Sequence, residues 1–251
     1  MEVTGKSNLN NIGALVNDKS RPLLFIGSSS TMFYFKDVCD QHGIEIAGII
    51  DNDYYGNVSS LEGIPVIDTE ISFEDPDKLK YYRENFNFFL ATNYVPQRDN
   101  VMKRNVQKKF QLMNLIDQYD LSCITLIDKD AKVHYTCTVG KNVFLDAMIY
   151  VSGYTEIGDY SSIYTGTCVG HHNKLGRNCV LQRKSGLHNY NVLEDNVFVG
   201  LASHVMGENL MIRQGTFVHP CLVVRRDTQP EEVISLVNKD LRKIYHRHSE
   251  Q

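Results

Sequence analysis

Residues 151–175, VSGYTEIGDYSSIYTGTCVGHHNKL, carry a bulky apolar residue at every sixth position. The same spacing extends in both directions along the chain. The positions are Ile127, Val133, Val139, Leu145, Val151, Ile157, Ile163, Val169, Leu175, Leu181, Leu187, Leu193, Val199, Val205, Met211, Phe217 and Val223. The fourth residue after each of them is usually small or β-branched, as at Thr155 and Ser161. A short, fixed period of this kind indicates a solenoid.

A period of six fits neither a helix nor a plain strand, but it fits a short strand followed by a corner. Three such units close one triangular coil, in which the apolar residue and the small residue two before it point inward. Neighbouring coils are then hydrogen-bonded at a spacing of about 4.8 Å. The unbroken phase predicts between five and six stacked coils, without a long inserted loop.

Composition limits the remaining possibilities. A chain of 251 residues, 42% hydrophobic and with a net charge of −4, is long enough for two domains and too acidic to bind nucleic acid by bulk charge. The six cysteines form no C-x-x-C motif, and Cys137, Cys179 and Cys221 fall on inward positions of the repeat. Buried, reduced thiols are therefore expected, and disulfide or metal roles are the alternatives. Without a signal peptide or a long apolar run, we expect a cytoplasmic protein without membrane insertion.

The first half of the chain has the pattern of a small α/β domain. Strands are predicted at 22–27, 45–51, 61–66 and 86–91, and helices from the turn at 28–31 to His42, over 75–85 and over 98–119. This order predicts a parallel, Rossmann-like sheet. The domains are expected at 1–121 (Rossmann-like), 122–225 (β-helix) and 226–251, the last as a helical extension from about Glu231 to His246.

The turn after the first strand is the place where such a sheet binds ligands, because helix N–H groups converge there. Residues 27–32 read GSSSTM, which lacks the later glycines of G-x-G-x-x-G, so NAD is not expected. Hydroxyl and N–H groups can still hold a sugar-nucleotide phosphate, and the end of the second strand lies nearby. The predicted acceptor-binding residues are Ser29, Ser30, Thr31, Asp51 and Asn52. A plain helix N-cap and strand-end turn is the alternative.

These features together resemble a known family. A small Rossmann-like domain with Gly and Ser after its first strand, an acidic pair after its second, an L-x-G-x-P-V segment (residues 61–66) and an uninterrupted β-helix look like the hexapeptide-repeat acyltransferases. The similar members are sialic-acid-pathway sugar O-acyltransferases and nucleotide-aminosugar N-acetyltransferases of polysaccharide biosynthesis. The resemblance implies a left-handed parallel β-helix, a homotrimer, a sugar-nucleotide acceptor bound by the first domain, and acetyl-CoA bound between subunits.

Acyl transfer needs a base to remove the acceptor's proton, and an imidazole suits neutral pH. The repeat places His171 and His172 at one exposed corner, in the segment Val169-Gly170-His171-His172, where the resemblance implies the catalytic histidine. His171 is the predicted general base, and His172, which stands where the family often has Glu, is an alternative. His188 is a second candidate base or a coenzyme contact. One coil further, Asn189 stacks on His171, and corner N–H groups there can hold the developing oxyanion.

The resemblance places acetyl-CoA contacts near Val180, Leu201 and His219. Apolar residues at outward positions, namely Phe144, Met148, Tyr150, Phe198 and Met206, suggest that the β-helix is covered in a homotrimer. Three functions compete: acyl transfer from acetyl-CoA to an amino or hydroxyl group of a nucleotide-linked sugar, zinc catalysis of the carbonic-anhydrase kind, and a non-catalytic role in ligand binding or assembly. The H-x4-H spacing of the carbonic-anhydrase kind of zinc site is absent, so no metal is expected.

Overall fold

The computed structural model describes residues 15–92 and 100–235. It shows an α/β domain followed by a parallel β-helix, as the sequence predicts. No helix in these two ranges has the length and apolar character needed to span a membrane.

The first domain is built on a five-stranded sheet with helices around it. Its elements, with one strand that precedes it, are β1 (Leu15–Val16), β2 (Leu23–Ile26), α1 (Met32–His42), β3 (Ile46–Ile50), β4 (Ser60–Leu61), β5 (Ile64–Asp68), a 3-10 helix (Glu70–Glu74), α2 (Pro76–Asn85), β6 (Asn87–Leu90) and α3 (Asn100–Gln118). The sheet has the order β4-β5-β3-β2-β6, and only β4 runs antiparallel to its neighbour.

The predicted strands and helices of this domain are present within a few residues of the expected bounds. Three elements were not predicted: β1, β4 and the 3-10 helix. The single strand expected at 61–66 is instead an antiparallel pair formed by β4 and β5. β1 is too short to show a period, and it pairs with the first strand of the β-helix. The expectation that a side chain of the 28–31 turn caps α1 is wrong, because Thr31, the residue before α1, makes no side-chain capping bond. The hydroxyl of Ser29 donates instead to the carbonyl oxygen of Ala91, 2.9 Å away.

The β-helix consists of three parallel sheets, which we call sheets A, B and C. Sheet A contains β1, β7 (Ile124–Ile127), β10 (Phe144–Leu145), β13 (Ser162–Ile163), β16 (Val180–Leu181), β19 (Phe198–Val199), β22 (Phe217–Val218) and β24 (Val233–Ile234). Sheet B contains β8 (Lys132–Val133), β11 (Tyr150–Val151), β14 (Cys168–Val169), β17 (Gly186–Leu187), β20 (His204–Val205) and β23 (Val223–Val224). Sheet C contains β9 (Thr138–Val139), β12 (Glu156–Ile157), β15 (Lys174–Leu175), β18 (Val192–Leu193) and β21 (Met211–Ile212).

Small inward residues link each coil to the rest of the β-helix. The hydroxyls of Thr155, Ser161 and Thr167 donate to the carbonyl oxygens of Gly170, Gly176 and Gln182, respectively. Each partner lies fifteen residues further along the chain. A large side chain has no room at these positions, and a buried hydroxyl requires a partner. The repeated small residue of the sequence therefore has both a steric and a hydrogen-bonding role.

The repeat changes phase near its end, so the prediction of an unbroken phase is wrong. Val151 lies beside Val169, eighteen residues on, but Leu193 lies beside Ile212, nineteen residues on. The extra residue belongs to the turn at 206–210. As a result Ile212, Val218 and Val224 are buried, while the predicted Met211, Phe217 and Val223 occupy the outward positions. The shift also exposes Cys221, which was expected to be buried.

The predicted C-terminal helix is wrong where the structure describes it. Val233–Ile234 form strand β24, which pairs with Phe217–Val218 in sheet A, instead of belonging to a helix that begins near Glu231. The rest of the predicted helix, residues 236–246, lies outside the described residues.

Sheet A carries the first domain. Its outward residues Phe144, Val180 and Phe198 are at most 4% exposed and share one apolar cluster with Phe35 and Phe89. The expectation that Phe144 and Phe198 await a second copy of the chain is therefore wrong, because the chain's own first domain covers them.

A lysine is buried near the junction of the two domains. Lys109 of α3 is 3% exposed, and its Nζ lies 3.4 Å from the carbonyl oxygen of Tyr160. No salt bridge to Lys109 occurs within the described ranges. Burial lowers the pKa of its ammonium group to about 7. The folded protein therefore keeps a group that resists charging at neutral pH.

The phase shift predicts different stabilities for two adjacent alanine variants. Ile212→Ala removes a fully buried side chain and should lower the free energy of unfolding by about 2–5 kcal/mol. Met211→Ala, the matched control, should lower it by about 1 kcal/mol or less because that side chain lies outward. Thermal and urea unfolding measure both. If Met211→Ala lost more unfolding free energy than Ile212→Ala, the result would support the unbroken phase predicted from the sequence.

Lys109→Met should stabilise the protein at neutral pH and below. Between pH 7 and 10.5 the unfolded chain holds a proton that the folded Lys109 lacks, so this residue's contribution makes stability rise with pH in that window. Urea unfolding at about pH 6 should show the variant more stable by roughly 1–4 kcal/mol, with a smaller gap at about pH 8.5. Comparing the two proteins at each pH cancels the titration of the buried cysteines. If the difference in unfolding free energy between the two proteins did not change with pH, the lowered pKa of Lys109 would be contradicted.

Candidate functional site

The turns between sheets B and C, which we call the BC corner, bring two histidines to the surface. His171 is partly buried and His172 is exposed in the turn that joins β14 to β15. His172 has a φ of +58°, and Tyr154 and Tyr190, one coil away on either side, have +59° and +58°. The fold thus repeats one backbone conformation and stacks the three side chains.

The rings at this corner are in direct contact. The Nδ1 atoms of His171 and His172 are 2.9 Å apart, and the two rings meet edge to face. The ring of His172 is stacked between those of Tyr154 and Tyr190, at centroid distances of 4.8 and 4.9 Å. The edge of Tyr190 also meets His171, at 5.0 Å. His171 therefore has its Nδ1 engaged, which leaves Nε2 as the nitrogen available to a substrate.

Most backbone N–H groups of this corner are already paired. The N–H of His171 donates to Oδ1 of Asn189 at 3.1 Å, and the N–H of His172 donates to the carbonyl oxygen of Gly153 at 3.1 Å. These two groups cannot serve the predicted oxyanion site. The N–H of Asn189 makes no hydrogen bond within the described part of the chain. Its position, stacked on His171, makes it a donor available beside that ring.

Gly170 explains how closely the coils approach at this site. A Cβ atom on Gly170 would lie 2.3 Å from Oδ1 of Asn189 and 3.0 Å from the backbone of His188. Any side chain at position 170 would displace Asn189, whose Oδ1 accepts the hydrogen bond from the N–H of His171.

The other candidate base is placed differently. His188 is 45% exposed, and its Nδ1 lies 3.7 Å from Oε1 of Glu208, beyond a normal hydrogen bond. No contact joins its ring to those of His171 and His172 among the described residues. Cys168, also exposed, lies on the outward face of sheet B.

The three predicted coenzyme contacts do not lie together. Val180 is 1% exposed and is packed under the first domain, so its side chain cannot reach a coenzyme. Leu201 is 44% exposed in the turn between sheets A and B, and His219 follows the next strand of sheet A at the same edge. Sheet B separates this edge from the BC corner. Within one chain, Leu201 and His219 therefore cannot join His171 in one site.

The predicted acceptor site lies at the carboxyl ends of β2, β3 and β6. Gly27, directly after β2, has a φ of +66°, and a Cβ there would meet Leu112 and Thr92 at 2.7 Å. Asp51, directly after β3, is fully buried. Its Oδ2 accepts from Ser28 at 2.7 Å, and its Oδ1 lies 2.8 Å from Nζ of Lys108. A direct contact from Asp51 to a sugar hydroxyl is therefore not available in this structure.

Lys108 offsets part of the negative charge of this edge. Its Nζ also lies 2.6 Å from Oδ2 of Asp53. Burial lowers the pKa of Lys108, but hydrogen bonds to Asp51 and Asp53 outweigh this and raise it. Neither Ser28 nor Lys108 was predicted. The serine follows Gly27 directly and was available to the sequence argument, whereas Lys108 lies on a helix 57 residues after Asp51 and gives no local signal.

The remaining acceptor candidates surround the same edge. Ser30 is exposed, and the hydroxyls of Ser29 and Thr31 are 3.2 Å apart. Oδ1 of Asn52 accepts from the N–H of Glu70 at 3.0 Å. Burial raises the pKa of Glu70, and its Oε1 is buried without a hydrogen-bond partner among the described residues. Among the described residues, Glu70 thus has an unsatisfied carboxylate oxygen beside the exposed Asn52, which gives this edge spare hydrogen-bonding capacity.

No group of three or more His, Cys, Asp or Glu side chains within residues 15–92 and 100–235 is arranged to hold a metal ion.

Comparison with solved structures finds the same fold at low sequence identity. A variant of perosamine N-acetyltransferase from Caulobacter crescentus with one His replaced by Asn, in complex with CoA and GDP-perosamine, is 23% identical, with 87% of this chain and 95% of that chain covered and a TM-score of 0.71. WeeI from Acinetobacter baumannii AYE is 13% identical, with 86% and 97% covered and a TM-score of 0.63. The acetyltransferase domain of PglB from Neisseria gonorrhoeae FA1090, in complex with acetyl coenzyme A, is 18% identical, with 85% and 95% covered and a TM-score of 0.53. No protein-family model matches the chain, and no curated protein matches it.

Proposed function

We propose that this protein transfers an acyl group, the acetyl group of acetyl-CoA, to an amino or hydroxyl group of a nucleotide-linked sugar. The observation that carries the proposal is the BC corner, where Nε2 of His171 and the N–H of Asn189 have no hydrogen-bond partner among the described residues and belong to residues stacked on each other. A base and an oxyanion donor on adjacent coils are the two groups that direct acyl transfer needs. The fold shared with structures that hold CoA supports it.

The reaction balances with these two groups. The acceptor's nitrogen or oxygen attacks the thioester carbonyl carbon while Nε2 of His171 takes its proton. The carbonyl oxygen becomes an oxyanion, which the N–H of Asn189 stabilises. The intermediate then collapses, the C–S bond breaks, and the sulfur leaves with the proton that His171 received. No acyl-enzyme intermediate is needed, and Cys168 has no activating partner among the described residues.

The first domain is proposed to hold the nucleotide part of the acceptor. The turn after Gly27 offers Ser29, Ser30 and Thr31, and Asn52 lies at the end of the neighbouring strand. Lys108 adds a cation to the same edge, although it is held by Asp51 and Asp53. The perosamine N-acetyltransferase structure of the same fold is a complex with GDP-perosamine, which supports a nucleotide-linked sugar as the class of acceptor.

The assembly is proposed to be a homotrimer that packs through sheet B. Tyr150 on this sheet is 50% exposed, and Met148 and Met206 beside it are 67% and 48% exposed. Sheet A is covered by the first domain, and sheet C carries the charged outward residues Glu156 and Lys174, so sheet B is the more apolar open face for a second copy to cover. Because sheet B lies between its two corners, a threefold arrangement brings the BC corner of one copy to Leu201 and His219 of the next. The coenzyme then lies between subunits.

His171→Ala should lower kcat for acetyl transfer by about 10²- to 10⁴-fold, because a general base contributes about that much. Acetyl-CoA binding, measured by calorimetry, should be unchanged. His188→Ala is the matched control and should keep near-native turnover. If His171→Ala turned over normally while His188→Ala did not, the base would be misassigned. If no coenzyme A bound at all, a non-catalytic role would replace the proposal.

Ser30→Asp should weaken nucleoside diphosphate binding about tenfold or more, because it places a negative charge where the phosphates would lie. Ser30 is exposed, so the fold should tolerate the change. Ser59→Asp, at another exposed site, is the control and should bind normally. Titration with a panel of nucleoside diphosphates, followed by titration with acetyl-CoA, measures both ligands. Equal loss of both would count against separate sites.

Light scattering at micromolar concentration should give three times the mass of one chain. Tyr150→Glu should dissociate the trimer and abolish transfer, because a carboxylate would be buried against the next copy. Tyr81→Glu, on α2 and similarly exposed, should do neither. A monomeric wild-type protein would refute the trimer.

A further inference from the structure

We infer that His172 is a positioning residue whose Nδ1 accepts a hydrogen bond from Nδ1–H of His171, which keeps Nε2 of His171 unprotonated and ready to take a proton. The catalytic meaning of this arrangement rests on the proposed function. The arrangement itself can be measured without any substrate.

The contact between the two rings restricts where their protons can be. At 2.9 Å, one Nδ1 must carry hydrogen and the other must offer its lone pair, because two N–H groups or two lone pairs would repel. If His171 accepted the bond, its proton would sit on Nε2, and no basic nitrogen would face a substrate. If His171 donates, Nε2 is basic. The tautomer of a histidine is set by the bond that its other nitrogen makes.

The surroundings of His172 fix its ring in place. Tyr154 and Tyr190 stack on its two faces, and His171 meets it edge to face. Aromatic contacts of this kind favour defined ring orientations. Nδ1 of His172 is therefore held toward His171. In the inferred arrangement the proton of His172 lies on Nε2, where this exposed side chain can donate it to water.

Among the described residues, no carboxylate competes for this role. His188 faces Glu208. In the described part of the chain, neither His171 nor His172 contacts Asp or Glu. A carboxylate is the usual partner that orients a catalytic imidazole. Here a second imidazole occupies that position, so the orientation of His171 depends on a neutral acceptor.

Two substitutions separate the hydrogen bond from the stacking. His172→Phe keeps a ring between the two tyrosines but removes the acceptor, and tyrosine already occupies this backbone conformation at Tyr154 and Tyr190. His172→Asn removes the ring but can place its amide oxygen near the position of Nδ1, and Asn tolerates a positive φ. Tyr190→Phe is the control, because it keeps both the stack and the hydrogen bond.

The first measurement is the tautomer of His171, read from ¹⁵N spectra of histidine-labelled full-length protein at a pH where the rings are neutral. We expect hydrogen on Nδ1 in the wild type, Tyr190→Phe and His172→Asn. In His172→Phe we expect the proton to move largely to Nε2, the form that a free side chain favours in water. A wild-type spectrum with hydrogen on Nε2 of His171, or an unchanged tautomer in His172→Phe, would overturn the inference.

The second measurement is turnover. His172→Phe should lose about 10- to 100-fold in kcat, as when a partner that orients a ring nitrogen is removed, with the KM for acetyl-CoA unchanged. His172→Asn should recover most of that loss. If the ¹⁵N spectra show the expected tautomers but the protein transfers no acyl group to any sugar nucleotide, the proposed function is refuted and the positioning of His171 by His172 still stands. Normal turnover in His172→Phe would refute the role itself.

Discussion

Hydrogen bonding between successive coils is the constraint on which the rest of this molecule depends. Each strand is bound to the strand eighteen residues later through most of the β-helix, so any side chain has a neighbour at a known distance along the chain. The corner that holds His171 follows from this rule alone. Asn189 lies against His171, and His172 lies between two tyrosines, because each pair of coils is in register. Loops of irregular length would not maintain such a cluster.

The first domain decides which surfaces of the β-helix remain available. By packing on sheet A it buries the phenylalanines of that face and leaves sheet B and the BC corner open. At the edge proposed to bind the acceptor, a lysine is held between two aspartates and offsets part of their negative charge. A buried carboxylate without such a cation would be strongly destabilising. The same charges that stabilise the edge therefore limit which of its groups can contact a ligand.

The sequence predicted the elements that depend on local periodicity. The repeat, the order of strands and helices in the first domain, and the stacking of Asn189 on His171 all follow from spacing. It could not predict contacts between distant segments, such as Lys108 with Asp51 or Phe144 with Phe35. The contact between His171 and His172 was also missed, because spacing places both residues at the corner but does not orient their rings.

The phase shift near Leu210 shows how the sequence specifies which residue of each strand points inward. After the turn at 206–210, each strand has two adjacent apolar residues: Met211–Ile212, Phe217–Val218 and Val223–Val224. Either member of each pair is chemically suited to the interior, so inward and outward positions are not distinguished by polarity there. In most sheets, one added residue turns an entire strand inside out. Here the doubled apolar residues make a one-residue insertion survivable, which gives this end of the β-helix an evolutionary freedom that Lys174–Leu175, the strand directly after His171, lacks.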